Sequence, residues 1–513
     1  MDMITLSVFA NRIEAICDEM GAMLQRAAFS PNIRDRLDFS CAIFDAHGEL
    51  CAQAAHIPVH LGSMAYAMRD IVSNIDWLPG DMVVMNDPYL GGTHLPDVTL
   101  IAPVFVDQQL IAFTANRAHH ADIGASAPGS MPLSSTLEEE GMIIPPMRLV
   151  RQGVLDEACM QAITESVQNP AEGRGDFAAQ ISANRCGGER LQALIQSMGS
   201  AAFNEALVAL NDYAERLARA ALQDIPDGTY CFTDAMDDDG LGHNDINIDV
   251  CICVQGDQIH VDFSGTHSEV RGNINCPLSV AAAGVYYVFR CLMPPQTPAC
   301  AGSFRSISLD APEACLLNAR RPAAVAAGNV ETSTRVVDAV MGALAKAIPD
   351  RIPAASHGSM NNIAMGARDA TVNWDYYETL GGGMGASKIT DGLNAVQTHM
   401  TNTLNTPIET LEMRFPLRIT QYAVRDDSGG DGLHSGGDGL IREFTFLQPA
   451  TVTLLTERRR IAPWGLAGGL PGKHGRNFHN DHPVPAKTSL QLKAGDRVRI
   501  ETPGAGGWGK PAD

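Results

Sequence analysis

The chain has no window of 18 apolar residues, so no membrane-spanning helix is expected. Its first residues, MDMITLSVFANRIEAICDEMG, carry acidic side chains and lack the basic flank and apolar run of a signal peptide. None of its 12 cysteines forms a Cys-x-x-Cys pair, which removes the commonest spacing of zinc and redox motifs. Scattered thiols in a large chain without a leader read as reduced, mostly buried cysteines of a cytoplasmic protein. Basic residues are in short supply: 37 Lys and Arg stand against 59 Asp and Glu, a formal net charge of −22. That excess repels nucleic acid and anionic lipid surfaces, so neither is expected as a partner. There is no G-x-x-x-x-G-K-[ST] phosphate loop. The nearest glycine-rich run, GGGMGASK at 381–388, has the wrong spacing and reads as a turn or interface loop. Internal repeats and low-complexity linkers are also missing.

With 513 residues, 45% hydrophobic and 19% charged, the chain has ordinary globular composition and is too long for one simple core. Apolar spacing predicts a first amphipathic helix over 5–28 and a strand pair around the turn at 45–48. A helix ending before Leu78-Pro79-Gly80 follows, then strands at Met82–Met85, Val98–Val106 and Leu110–Thr114. Residues 155–223 read as helical, 228–270 as β, and 277–295 and 333–348 as helical again. The last stretch is glycine-rich, with glycines supplying positive φ and close backbone approach, and ends in a small β layer. The fold class is therefore mixed α and β (α+β). Three regions are expected, with soft boundaries: 1–225, 226–370 and 371–513.

Asn86–Gly124 gathers His94 and Asp97 in THLPD and His119, His120 and Asp122 in HHAD, on either side of a strand pair. Imidazole and carboxylate together suit a borderline or hard divalent metal. Pro96 and Gly91-Gly92 argue against a helix, so His94 and Asp97 converge by turning. Successive strand side chains alternate in direction, so only one of His119 and His120 easily reaches a shared ion. Asp38, at the tip of the strand-like LDFSCAIFD, adds a carboxylate. Two His and two Asp suit four-coordinate zinc, or manganese or iron with added water. By spacing alone, turn capping by the same side chains is an equal alternative.

The ordered series NDPYLGGTHLPD, ANRAHHADIG, APGSMP, EEEGMIIPP, AAGNVETS, THMTNTLNTPIE and RRRIAPWGLAGGLPGKHGRN resembles the hydantoinase B / 5-oxoprolinase family, from about residue 5 to Trp508. That family includes B subunits of ATP-dependent hydantoinases, oxoprolinases and lactamases, and the related subunit of acetone and acetophenone carboxylases. The resemblance implies a metal held by Asp38, His94, Asp97 and His119, with zinc the first expectation. It further implies ATP, with Mg, bound on a separate A subunit of the actin-like ATPase type, in a heterotetramer, with bicarbonate needed only if a ketone is carboxylated. The implied activity is ATP-driven opening of a cyclic amide; the alternatives are a ketone carboxylase subunit or a structural subunit with a purely structural metal.

His120, Asp122 and Glu139 or its neighbour Glu140 are candidate proton handlers or substrate contacts, against a solvated loop for Glu138–Glu140. Arg458–Arg460 reads more readily as a salt-bridge patch than as an anion site. The segment 398–409 around His399 could line the site or simply cap turns. Cys41, Cys51 and Cys186 read as buried thiols rather than nucleophiles, and Trp464 as packing.

Overall fold

Asp2 caps the helix Met3–Ala27 by accepting from the backbone N–H of Ile4 and Thr5. The helix buries Leu6, Phe9, Ile13, Ile16, Met20 and Leu24 on one face. It packs on the long helix Pro170–Met198, where Gly187 leaves room for Met20: a Cβ there would lie 2.3 Å from the Met20 sulfur. The computed structural model describes residues 1–54, 57–368 and 373–511. It is a mixed α and β architecture, as expected.

Both helices cover a seven-stranded sheet of order β2-β1-β5-β4-β3-β6-β7. Its strands are β1 (Phe39–Asp45), β2 (Leu50–Ala54), β3 (Met82–Met85), β4 (Asp97–Val106), β5 (Gln109–His119), β6 (Met147–Arg151) and β7 (Val154–Leu155). β5 runs five residues beyond the expected Leu110–Thr114, through Asn116 and Arg117. Both polar side chains are buried because partners meet them there. Asn116 donates to the Gln180 carbonyl and the Asn184 side chain, and Arg117 to Thr99, Ser63 and the Gly91 carbonyl.

A second sheet, of order β11-β10-β9-β8, is built from β8 (Gly228–Asp238), β9 (Asn244–Gln255), β10 (Gln258–Asp262) and β11 (Ile307–Asp310). Cys231 and Cys251 stand opposite each other in its β8–β9 ladder, with Cα atoms 4.0 Å apart, and are disulfide-bonded. This corrects the expectation that the thiols are all reduced: neither sequence position announces the cross-strand register that joins them. The other described cysteines are free.

The remaining strands are β12 (Asn362–Arg368), β13 (Asn373–Glu378), β14 (Leu417–Arg425), β15 (Gly439–Phe446), β16 (Ala450–Leu455), β17 (Arg476–His479), β18 (His482–Val484), β19 (Lys487–Leu492) and β20 (Arg497–Glu501). They form two sheets, β13-β12-β16-β19 and β14-β15-β20-β17-β18, more than the small β layer anticipated. Between them, glycine-rich segments pack backbone against backbone. A Cβ on Gly383 would sit 1.9 Å from the Gly437 carbonyl oxygen, and one on Gly504 would sit 1.9 Å from that of Ser428. GGGMGASK belongs to this packing, as its turn-or-interface reading anticipated.

One core cluster draws Ile57 and Val59, Ile246, Val280, Val336, Tyr377, Met400 and Leu455 together, so all three expected regions share it. A small cavity of mixed polar and apolar lining opens at that junction. Among the described residues, no helix is long and apolar enough to cross a membrane.

Candidate metal centre

The tips of β1, β4 and β5 meet at one place. Asp97 opens β4 and pairs directly with His119, the last residue of β5. The His119 N–H donates to the carbonyl of Asp38, just before β1. The loop ahead of Asp97 is pinned from several sides. Asn86 donates to the carbonyls of Leu95 and Met142 and accepts from the Ile144 N–H. Gly92 lies so close to the Asn86 carbonyl that a Cβ would come within 2.5 Å. This folding turns His94 back onto Asp97, with Nε2 and Oδ1 3.1 Å apart.

His94, Asp97 and His119 each offer a ligand atom, and all of these lie within 4.8 Å of one another. All three residues are buried. His119 Nε2 has no hydrogen-bond partner; His94 Nε2 and Asp97 Oδ1 face only each other, as a close ion-pair contact without hydrogen-bond geometry. A buried polar atom left unpaired costs on the order of 1–3 kcal/mol, so these atoms favour an occupant that joins them. Two imidazole nitrogens and a carboxylate oxygen fit a Zn²⁺, Mn²⁺ or Fe²⁺ ion.

The outer atoms of these residues are engaged in ways that aim the inner ones. Asp97 Oδ2 accepts from Thr93 Oγ1 at 2.6 Å and Asn329 Nδ2 at 3.2 Å, and lies 3.2 Å from His60 Nε2, which leaves Oδ1 free. His94 Nδ1 lies 3.2 Å from the Ala326 carbonyl, which fixes the proton on Nδ1 and the lone pair on Nε2. His119 Nδ1 lies 3.1 Å from the Asn32 amide, and its ring stacks on Tyr377 at 4.7 Å.

Electrostatics separates the three. Burial pushes Asp97 up, but His94 and His60 outweigh it and hold the carboxyl well below the usual range. Burial pulls His94 down, and its pairing with Asp97 brings it above its ordinary value. Burial and the neighbouring His94 hold His119 well below, so it is neutral.

A cavity of about 20 Å³ adjoins the cluster, lined by Asp38, His60, Asp97, His119, Asn329, Met360, Tyr377 and Thr403 among others. It admits one water-sized group. Asp38 is on its wall but outside the closest trio; its carboxylate lies 3.8 Å from Arg36. His60 is not among the residues singled out in the sequence, and only the fold sets it against Asp97. Thr401 and Thr403 bring the 398–409 segment to the cavity, while His399 in the same segment points to Asp338 at 3.9 Å.

The three proton-handler candidates stand elsewhere. His120 faces the opposite side of β5, as strand alternation requires, with Nε2 3.0 Å from Gln180 Oε1 and its ring against Phe177. It opens on a separate 440 Å³ cavity shared with Asp122. Asp122 holds a turn, accepting from the N–H of Gly124 and Gln168 and from Ser130 Oγ. Glu139 is exposed and caps Ser135, whereas its neighbour Glu140 is buried. Glu140 accepts from the Val325 and Ala326 N–H groups and from Ser134, and burial pushes its carboxyl up to about 7. It thus braces the backbone whose Ala326 carbonyl orients His94.

Other singled-out groups settle as packing. Arg458 is fully buried between Asp234 and Asp338. Burial raises the Cys41 and Cys51 thiols, and Trp464 packs on Phe232.

The sequence pattern of hydantoinase B/oxoprolinase matches residues 2–511. The 5-oxoprolinase of Dictyostelium discoideum is 37% identical over 99% of this chain, which spans 40% of that longer protein. The putative D-/L-hydantoinase B subunit of Pseudomonas sp. NS671 is 31% identical, covering all of this chain and 91% of the relative. Among solved structures, the ATP-dependent caprolactamase of Pseudomonas jessenii superposes with a TM-score of 0.93 at 30% identity, over 99% of this chain and 91% of that one. Acetone carboxylase shares the fold at a TM-score of 0.88 and 17% identity, over 98% of this chain and 76% of that one. The chain belongs to the hydantoinase B/oxoprolinase family.

Proposed function

We propose that this chain is the metal-bearing B subunit of an ATP-dependent cyclic-amide hydrolase. The observation that carries the reading is the meeting of three buried ligand atoms without hydrogen bonds on His94, Asp97 and His119. Asp38, on the wall of the same cavity, is the fourth ligand in this reading. A structural ion would be closed off by its ligands, whereas a catalytic one keeps an open position; a cavity beside the cluster favours the second. Zinc is first choice, manganese or iron next. When bound, such an ion polarises a carbonyl and lowers the pKa of water.

The chain's own residues prepare that site. Thr93, Asn329 and His60 hold Asp97 by its outer oxygen. Ala326, braced by Glu140, selects the His94 tautomer. Asn32 Nδ2 faces His119 Nδ1 and the Asn32 oxygen accepts from Arg36; for His119 Nε2 to bind an ion the amide turns over, so that its oxygen accepts the Nδ1 proton. Tyr377 fixes the plane of that ring. A lactam ring exceeds a 20 Å³ space, so the cavity must widen to admit one.

Unstrained ring amides are resonance-stabilised and re-close intramolecularly, so some open reluctantly or unfavourably, and ATP hydrolysis can drive their opening. We place ATP and Mg on a partner A subunit, consistent with the putative hydantoinase B component among the relatives. The second reading, a ketone carboxylase subunit using bicarbonate, rests on a fold likeness at 17% identity and is the weaker. The test is co-expression with the A subunit, followed by ATP-turnover screening against cyclic amides and ketones with and without bicarbonate. Stimulation by a cyclic amide independent of bicarbonate is expected. Stimulation only by a ketone with bicarbonate would make it a carboxylase, and stimulation by none would sink both.

A further inference from the structure

The segment AAGNVETS folds into a π-helical turn, Gly328–Thr332, entirely buried. Such turns insert one extra residue and recur at functional sites. Here the turn sets both Asn329 and Val330 on the wall of the metal cavity. Its tightness depends on Gly328, where a Cβ would lie 1.8 Å from the Asn275 carbonyl oxygen.

Asn329 has a fixed orientation. One end of its amide lies 3.2 Å from Asp97 Oδ2. A carboxylate oxygen only accepts, so that end is Nδ2 and the other is Oδ1. Oδ1 is buried and has no partner. Among the described residues lining the cavity, the buried side-chain atoms without a hydrogen-bond partner are Asp97 Oδ1, His119 Nε2 and Asn329 Oδ1. The first two belong to the ion. Asn329 Oδ1 is left over, a buried acceptor beside the cluster with no donor.

A small ring forces its amide cis, so C=O and N–H project from the same side of the ring. A carbonyl oxygen turned toward the His94–Asp97–His119 cluster thus brings an N–H alongside it, at the place where an acceptor waits. We infer that Asn329 Oδ1 accepts the ring N–H of the substrate, and that the site selects cyclic amides whose scissile nitrogen carries a hydrogen. This rests on the hydrolase reading above. An acceptor here also favours the N-protonated form of a ring activated at oxygen, the form more open to attack. A ketone has no such hydrogen, and an N-alkylated lactam would leave Oδ1 buried and unpaired.

The test is binding of two small probes, 2-pyrrolidinone and N-methyl-2-pyrrolidinone, to the metal-loaded full chain by ligand-observed NMR titration. Metal content and melting temperature are measured on the same samples. The wild type should bind the N–H lactam at least about tenfold more tightly, the scale of one buried hydrogen bond. In Asn329→Leu the ratio should fall to within about threefold, with metal retained. Equal binding of both probes by the metal-loaded wild type, or binding of neither, overturns the inference. So does an Asn329→Leu chain that keeps the preference, or one that loses its metal, since Asn329 would then serve the ion, directly or through Asp97. A wild-type chain that discriminates between the probes without holding metal would sink the metal reading and leave this one standing.

Discussion

Asp97 faces His119 because β4 and β5 are one residue out of step. At the turn, Val106 pairs with Gln109 and Phe105 with Leu110; beyond an irregularity, Val104 pairs with Ala112 and Asp97 with His119. Ile111 is the extra residue of this β-bulge. Carried on without the shift, the ladder would set Ala118 opposite Asp97 and turn both histidine side chains to the wrong faces. The bulge is therefore part of the metal centre, although it lies far along the hairpin from it.

The same hairpin yields a first prediction. Asp107 and Gln108 form its two-residue turn with φ of 49° and 63°. Both occupy the left-handed region that a type I′ turn requires and that side chains disfavour. Gln108→Gly should raise stability by up to about 1 kcal/mol, read as a higher urea midpoint at unchanged slope. A lower midpoint would mean that the Gln108 side chain contributes more than the strain it carries.

Glu140 gives the chain a pH dependence of definite sign. Its folded carboxyl is raised from 4.5 to about 7, chiefly by burial. Between those values the folded chain holds a proton that the unfolded chain has released. Stability from this group is full below pH 4.5 and is lost as pH rises towards 7. In chelator, wild type should lose up to ~3 kcal/mol relative to Glu140→Gln across that window, by urea melts at each pH. A constant difference would show Glu140 ionised in the folded chain.

Glycines in the C-terminal region serve two separable purposes. Gly468 has φ of 97° and meets only the flexible Lys510 side chain closely, so Gly468→Ala should cost about 1–2 kcal/mol. Gly383 faces the Gly437 carbonyl at 1.9 Å from where a Cβ would be, with no room to yield. Gly383→Ala should cost on the order of 4 kcal/mol or more, or prevent soluble expression. Equal losses in thermal melts would contradict this division.

Much of this could be read along the chain, and the misses share a cause. Helical spacing located the first helix, and a short continuous apolar run located Met82–Met85 residue for residue, because each signal is local. Strand parity separated His119 from His120 for the same reason. Asn116 and Arg117 hid the end of β5, since polar residues break an apolar pattern even where distant partners satisfy them. The glycine-rich tail looked like loops because close backbone packing leaves no periodicity. His60, Asn329 and Glu140 reach the site only through tertiary folding, and nothing in IPVHLGS or EEEG distinguishes a site residue from a helix start or a solvated run. Asp122 and Glu139 showed the converse: local hydrogen bonds from Gly124 and Ser135, with a distant one from Gln168 to Asp122, already occupy them.

The metal centre is the claim on which the rest depends, and elemental analysis of the chain tests it most directly. Purified without chelator and supplied with zinc, manganese and iron in turn, the wild type should retain about one divalent ion per chain. His119→Ala and Asp97→Ala should each lose it, by removing a ligand that no neighbour replaces. A wild-type chain that holds no stoichiometric metal, or variants that keep theirs, would contradict it.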